Sequence, residues 1–126
     1  MKSKVNYTFA VGRRKTSTAR IRLFKGIGKN LINGKEALAS LVQKPLQVTN
    51  LIGKYYFSSK VAGGGVKSQL EATVNGVSKA LAKLDPEKFR VLLKREGLLM
   101  RDSRERQRRM VGTGGKARRR KQSPKR

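Results

Sequence analysis

Apolar residues in the first part of the chain recur at every second position. Val5, Tyr7, Phe9 and Val11 alternate with polar or small residues, the period of a half-buried strand. Ala19, Ile21 and Leu23 alternate again, and the residues between them are Arg20 and Arg22. Successive strand side chains point to opposite faces, so this segment is expected to turn arginines outward and aliphatic groups inward. Leu31-Ile32 makes a short third strand that ends at Asn33-Gly34, a turn signal. Over 35–42 the period lengthens, and Ala37, Leu38, Leu41 and Val42 share one helical face. Pro45 suits the first position of a short helix with Gly53 near its end. Tyr55, Phe57, Ser59 and Val61 return to the strand period.

Gly63-Gly64-Gly65 opens the clearest helix. Val66, Leu70, Thr73, Val74, Val77, Leu81 and Leu84 recur at three- and four-residue steps. Asp85-Pro86-Glu87 supplies a cap, a first-turn proline and a first-turn acid, so another helix starts here. Phe89, Leu92 and Leu93 are its inner face, and Gly97 fits its C-terminal stop. There is no internal repeat, and the mixture of periods predicts one α/β domain.

Charge changes this picture at its C-terminal side. Of 126 residues, 32 are Lys or Arg and 7 are Asp or Glu, a formal net charge of +25. Residues 1–100 hold 20 basic and 5 acidic residues, whereas 101–126 hold 12 and 2. A boundary near Arg101 therefore divides a mixed domain, 1–100, from a basic tail, 101–126. The tail has no apolar periodicity from Lys116 onward and is expected to stay disordered without a partner. Such charge repels itself until a polyanion relieves it, which makes nucleic acid the leading partner. An anionic membrane would call for a basic amphipathic helix or a lipidation signal, and neither dominates. No apolar run approaches the ~20 residues that span a bilayer. The N-terminus has no secretory apolar region, so an intracellular protein is expected.

Candidate chemistry is mostly cationic. Cys and His are both absent, which removes disulfides, Cys-ligated zinc and the commonest general base. The seven acids are Glu36, Glu71, Asp85, Glu87, Glu96, Asp102 and Glu105. Asp85 and Glu87 read as capping groups, and Asp102 and Glu105 as internal ion pairs within a basic run. No carboxylate pair or triad assembles from them, so neither an enzyme nor a cofactor, metal or small-molecule substrate is expected.

Arg13-Arg14-Lys15, joining two strands and followed by Thr16, Ser17 and Thr18, has the residue types that contact phosphates. Arg20 and Arg22 continue the patch. The triple glycine offers bare backbone N–H groups at a helix start, but a nucleotide-binding P-loop requires Gly before its Lys-Ser pair. Val66 stands there instead, before Lys67-Ser68, which leaves contact with an RNA phosphate or a plain turn. Lys116, Arg118, Arg119, Arg120 and Lys121 carry the densest charge, and their guanidinium groups can bind phosphates in bidentate fashion or stack on bases. Tyr7, Phe9, Phe24, Tyr55, Tyr56, Phe57 and Phe89 fall mostly on inward faces. They are expected in the core, which argues against a sheet that reads single strands by stacking.

The chain resembles the family of small-subunit ribosomal protein nine, of bacterial or organellar type. The resemblance rests on Gly12-Arg13-Arg14-Lys15-Thr16-Ser17-Thr18-Ala19-Arg20, Asn33-Gly34, Pro45-Leu46 and Gly63-Gly64-Gly65 with Gln69 four residues on. It continues through Gly97-Leu98-Leu99, Arg101-Asp102-Ser103-Arg104 and Lys116-Ala117-Arg118-Arg119-Arg120 to Lys125-Arg126. Order and spacing together are specific where each piece alone is weak. The resemblance implies a two-layer α+β sandwich of the ribosomal protein five domain-two-like fold, with a left-handed crossover. It implies a place in the small-subunit head, bound to ribosomal RNA beside neighbouring head proteins. It also implies a tail whose last residues, here Lys125 and Arg126, touch the anticodon stem-loop of the peptidyl-site tRNA.

The ribosomal RNA contacts expected on these grounds are Arg13, Arg14, Lys15, Thr16, Ser17, Arg20, Arg22, Gly64, Gly65, Lys67 and Gln69. In the tail they are Arg101, Arg104, Arg106, Arg108, Arg109, Lys116, Arg118, Arg119, Arg120 and Lys121. Two departures from the family pattern stand out. Ser68 replaces a glycine before Gln69, and the tail reads Lys121-Gln122-Ser123-Pro124 without the usual aromatic. The rival readings are a free RNA chaperone or the protein subunit of a ribozyme, a small-molecule kinase of related fold, and a secreted cationic toxin. The ribozyme subunit would carry an Arg-Asn-Arg signature, the kinase a phosphate loop and catalytic acid, and the toxin a signal peptide or disulfides. The expected location is the ribosome of a cytoplasm, with the plastid stroma as the alternative.

Overall fold

A computed structural model describes residues 6–37, 39–114 and 125. The elements in order are β1 (Tyr7–Arg14), β2 (Ser17–Lys25), β3 (Leu31–Ile32), β4 (Lys35–Glu36), α1 (Ser40–Val48), β5 (Tyr55–Ala62), α2 (Val66–Leu84) and α3 (Phe89–Arg95). The strands form one sheet in the order β1-β2-β5-β3-β4. β1 and β5 run antiparallel to β2, whereas β3 runs parallel to β5. The described residues thus form a mixed α/β fold with a five-stranded sheet and three helices.

The β2 alternation works as its sequence requires. Ala19, Ile21 and Leu23 are buried, and Arg20 and Arg22 are exposed. Phe57 and Val61 of β5 join the same core, into which α2 directs Ala72, Val77, Ala80 and Leu81. Burying one such aliphatic or aromatic side chain contributes about 1.5–3 kcal/mol. The helices cover this face of the sheet, and the opposite face has no helix over it among the described residues.

β1 reverses the expectation for its aromatics. Tyr7 and Phe9 are 41% and 42% exposed and lie on the uncovered face, in register with Phe24 and Arg22. Thr8, Ala10 and Gly12 turn toward α2 instead. Small residues are required there, because a Cβ on Gly12 would lie 2.0 Å from the Ala72 carbonyl oxygen and 2.2 Å from the Gly76 nitrogen. Close approach of β1 and α2 therefore selects the small face of the strand for the interior, and the aromatic face is left outside. Phe24 and Tyr56 share that outer face, and only Phe57 and Phe89 of the seven aromatics are buried.

The region 35–53 also differs from expectation. Residues 35–36 pair as a strand, and one helix, not two, spans Ser40–Val48 with Pro45 buried inside it. Leu41 is exposed, and Leu38 lies outside the described residues. The helix stops at Asn50, whose φ of 56° takes the left-handed conformation that Asn tolerates, and the Leu51 N–H closes back on the Leu46 carbonyl. Gly53 lies beyond that stop. α3 behaves as its sequence suggests. Asp85 accepts the Lys88 N–H, and Gly97 at φ 71° ends the helix while the Leu98 N–H returns to the Leu93 carbonyl. Leu93 is buried, but Leu92 is 37% exposed.

Candidate nucleic-acid interface

The β1–β2 hairpin turn sets one corner of the molecule. Arg14 pairs with Ser17, which leaves Lys15 and Thr16 at the tip, Lys15 with φ 52°. Ser17 is 1% exposed, and its hydroxyl donates to the Gly63 carbonyl at 2.9 Å and lies 2.8 Å from the Ser68 hydroxyl. The Ser68 hydroxyl also accepts the Gly65 N–H at 3.0 Å. A Cβ on Gly64 would lie 2.1 Å from the Ser17 oxygen. The triple glycine is therefore a docking turn that lets the strand-to-helix connection lie against the hairpin. Ser68, where the family pattern has glycine, does not prevent the close approach; its hydroxyl bridges the two segments. Gln69 completes the turn by donating to the Gly63 carbonyl at 3.0 Å.

The same corner receives the chain after α3. Arg14 reaches inward with its side chain 12% exposed. Its Nε donates to Glu71 Oε2 at 2.7 Å, and one Nη donates to the Arg104 carbonyl at 2.6 Å. The other Nη stands 3.6 Å from the Asp102 carboxylate. Asp102 in turn holds Arg104 at 2.9 Å, and the Arg101 guanidinium reaches the Lys15 carbonyl at 3.4 Å. One inward arginine thus ties the root of the basic segment to α2.

This geometry sorts the residues expected to touch RNA. Arg13, Lys15, Thr16, Arg20, Arg22, Gly64, Gly65 and Lys67 are exposed, as are Arg106, Arg108 and Arg109. Arg101 and Arg104 are exposed yet partnered within the chain. Gln69 is half-buried with its amide committed to Gly63. Arg14 and Ser17 are spent on internal contacts, so their place is in the scaffold and not on the surface, a consequence of the triple-glycine turn, α2 and the segment after α3 packing on the hairpin, which residue type alone does not reveal. Lys116, Arg118, Arg119, Arg120, Lys121 and Arg126 lie outside the described residues, and Lys125 is exposed. The hairpin tip, the triple glycine and Arg101–Arg104 come together at one corner, while Arg20 and Arg22 lie on the open sheet face beside Lys60, which the sequence reading missed.

A family model described as Ribosomal protein S9/S16 matches residues 12–126. The chain belongs to this family. A relative, the small ribosomal subunit protein uS9 of Maridesulfovibrio salexigens, is 41% identical over 118 residues, covering 87% of this chain and 90% of its own. A ribosomal protein of the S9 family is a structural, RNA-associated component of translation and not an enzyme, so the exposed arginines and lysines are the chemistry that counts. The ion pairs at the S9 corner then act by holding shape.

Asp102 shows how firmly. The Arg104 side chain, the Arg104 backbone N–H at 3.0 Å and the nearby Arg14 charge hold its carboxyl well below the usual carboxylate range. Because the folded chain favours the charged form, the contribution of Asp102 is complete above the ordinary value of about 4 and is lost only as pH falls below it. In an NMR titration the Asp102 carboxyl is expected to ionise well below the ordinary aspartate value of about 4. The Arg104 Nε–H signal should keep its position down to about pH 4. Asp102 titrating at the ordinary aspartate value of about 4 would show that the corner is not held this way.

Proposed function

We propose that this chain is a structural constituent of the small ribosomal subunit head that binds small-subunit ribosomal RNA and contacts the peptidyl-site tRNA. The observation that carries the ribosomal part is the family match, which runs from the hairpin glycine through the whole basic segment. In this reading residues 1–100 are the globular RNA-binding domain and 101–126 an extended basic tail that orders on RNA. Arg13, Lys15, Arg20, Arg22 and Lys67 meet phosphates from the folded domain, and Arg106 to Lys121 do so from the tail. Phosphate contacts fix position without reading sequence, which suits a protein that must accept every tRNA in one site. Extended at ~3.3 Å per residue, 26 residues reach up to roughly 85 Å, so a folded domain in the head can place Lys125 and Arg126 at an anticodon stem-loop it does not itself touch.

The topology is read in the same terms as the ribosomal protein five domain-two-like fold with a left-handed crossover. Its support is the β5–β3 parallel pair, joined through β4 and α1, and the order strands, helix, strand, helix. The compartment proposed is the cytoplasm, in the ribosome.

The test uses small subunits reconstituted with the full chain or with a chain lacking Lys125 and Arg126. Both are expected to co-sediment at one copy per subunit after a high-salt wash, and the shortened chain should retain several-fold less tRNA in the peptidyl site. Loss of both chains into the supernatant would mean a generic polycation and would favour a free RNA chaperone. Stoichiometric retention with unchanged tRNA binding at low and high salt would remove the tRNA contact alone.

A further inference from the structure

The uncovered sheet face carries a second kind of RNA chemistry beside phosphate contact. By strand register it presents Phe9 opposite Arg22 and Val11 opposite Arg20. Arg22 lies opposite Ser58, and Arg20 opposite Lys60. Phe9, Arg20, Arg22, Asn33, Ser58 and Lys60 line a cleft of about 630 Å³. That volume lies within the roughly 300–1,000 Å³ typical of sites for small organic ligands, enough for a nucleotide. No acid lines it, and Arg20, Arg22 and Lys60 have no carboxylate partner among the described residues.

The aromatics of this face divide into two groups. Phe24 stacks on Tyr56 with centroids 5.2 Å apart and packs against Tyr7 at 5.8 Å. Arg22 sits over the Tyr7 ring at 5.4 Å, and the Gly28 backbone lies so close to the Tyr56 ring that a Cβ there would be 2.8 Å from it. These rings complete one another. Phe9 has no ring partner among the described residues, remains 42% exposed, and borders the cationic cleft. An exposed aromatic amid cations that have no carboxylate partner suits a base, whose π-face stacks on the ring while its phosphates meet the charges.

We infer that the cleft between Phe9 and Lys60 binds unpaired RNA, with a base stacked on Phe9 and the flanking phosphates on Arg20, Arg22 and Lys60. The occupant is single-stranded because the bases of an A-form duplex are stacked within the helix and cannot present a free face. The charge complementarity of the lining selects RNA over a protein partner. The assignment rests on the RNA-binding reading above and adds to it where bases, not only backbone, are held.

The chain contains no tryptophan, so Phe9→Trp installs a single indole reporter. A labelled, unstructured RNA oligonucleotide is titrated into the full-length variant, with RNA anisotropy and indole emission read together. A duplex of equal phosphate number is titrated in parallel. The expected result is quenching that saturates with the single strand and is several-fold weaker with the duplex. In the unmodified chain, a 4-thiouridine strand should crosslink to the peptide that contains Phe9, and Phe9→Ala should reduce that yield several-fold while crosslinks to the basic segment stay unchanged. RNA that binds without moving the indole, that quenches equally as duplex, or that crosslinks only to the basic segment overturns the stacking site and leaves the RNA-binding reading standing. If neither RNA raises the anisotropy, the RNA-binding reading itself is overturned.

Discussion

Gly12→Ala is expected to lower the melting temperature of the free chain by more than any surface substitution. The added Cβ would fall 2.0 Å from the Ala72 carbonyl oxygen, 2.2 Å from the Gly76 nitrogen and 2.7 Å from the Gly76 Cα. All three atoms are backbone in the middle of α2, so no side chain can rotate away. Relief requires α2 to lift from β1, yet α2 is the element that packs against the strands and both other helices. Overpacking a core typically costs about 1–3 kcal/mol, and the upper end or beyond applies where only backbone can give way. A loss of about 3 kcal/mol is a large share of the roughly 5–15 kcal/mol that holds a small domain folded, and corresponds to about 12–24 °C in Tm. Gly76→Ala should cost less, because its Cβ would meet backbone no closer than the Gly12 nitrogen at 3.0 Å, and its nearest obstacle, at 2.5 Å, is the Cγ1 of the buried Ile21 side chain. Gly65→Ala is the control, since its φ of −99° is ordinary and nothing lies within 4 Å. Thermal unfolding followed by circular dichroism distinguishes the three. A Gly12→Ala variant melting level with Gly65→Ala would mean that β1 and α2 are not in contact here.

That pair of glycines also explains what the sequence could and could not tell. The strand period of β2 placed Ile21 and Arg22 on their correct faces because large aliphatic and charged residues alternate there. In β1 the alternation is equally clear, but the rule that apolar groups seek the core points the larger residues inward. Two apolar faces competed, and the outcome was decided by how closely a helix approaches, a distance that enters the sequence only as Ala10, Gly12 and the distant Gly76. The same holds for the surface. Arg20 and Arg22 were legible as outward cations, since they sit between buried residues in a strand. Arg14 was not legible as a scaffold residue, because its partners Glu71 and Asp102 lie far away in the chain and only the packing of α2 and of the segment after α3 against β1 brings them together. Lys60 and Phe9 join the open face through strand order, which local patterns do not encode. Pro45 misled for a related reason: its preference for a first turn was overridden by burial in a longer helix that packs on α2.

Removing residues 116–126 is expected to change how RNA affinity depends on salt more than any change within the folded domain. The segment holds seven of the 32 basic residues and no acid. Each phosphate neutralised contributes about 0.7–0.9 to the slope of log affinity against log salt, so seven contacts account for a slope change of about 5 to 6. Between about 50 and 200 mM salt the full chain should then lose about a thousandfold more affinity for a ribosomal RNA fragment than the shortened one. The domain cations Arg13, Lys15, Arg20, Arg22 and Lys67 remain in the shortened chain, which should still bind, more weakly and with a shallower slope. Replacing Arg118, Arg119 and Arg120 by Lys separates charge from shape. If the segment acts only as a polycation, both affinity and slope stay as they were. If the guanidinium groups grip phosphates in bidentate fashion or stack on bases, affinity falls while the slope is kept, because the charge count is the same and the planar fork is lost. Identical slopes for the full and shortened chains would place the RNA contacts entirely on the folded domain and leave the basic segment without the role proposed for it.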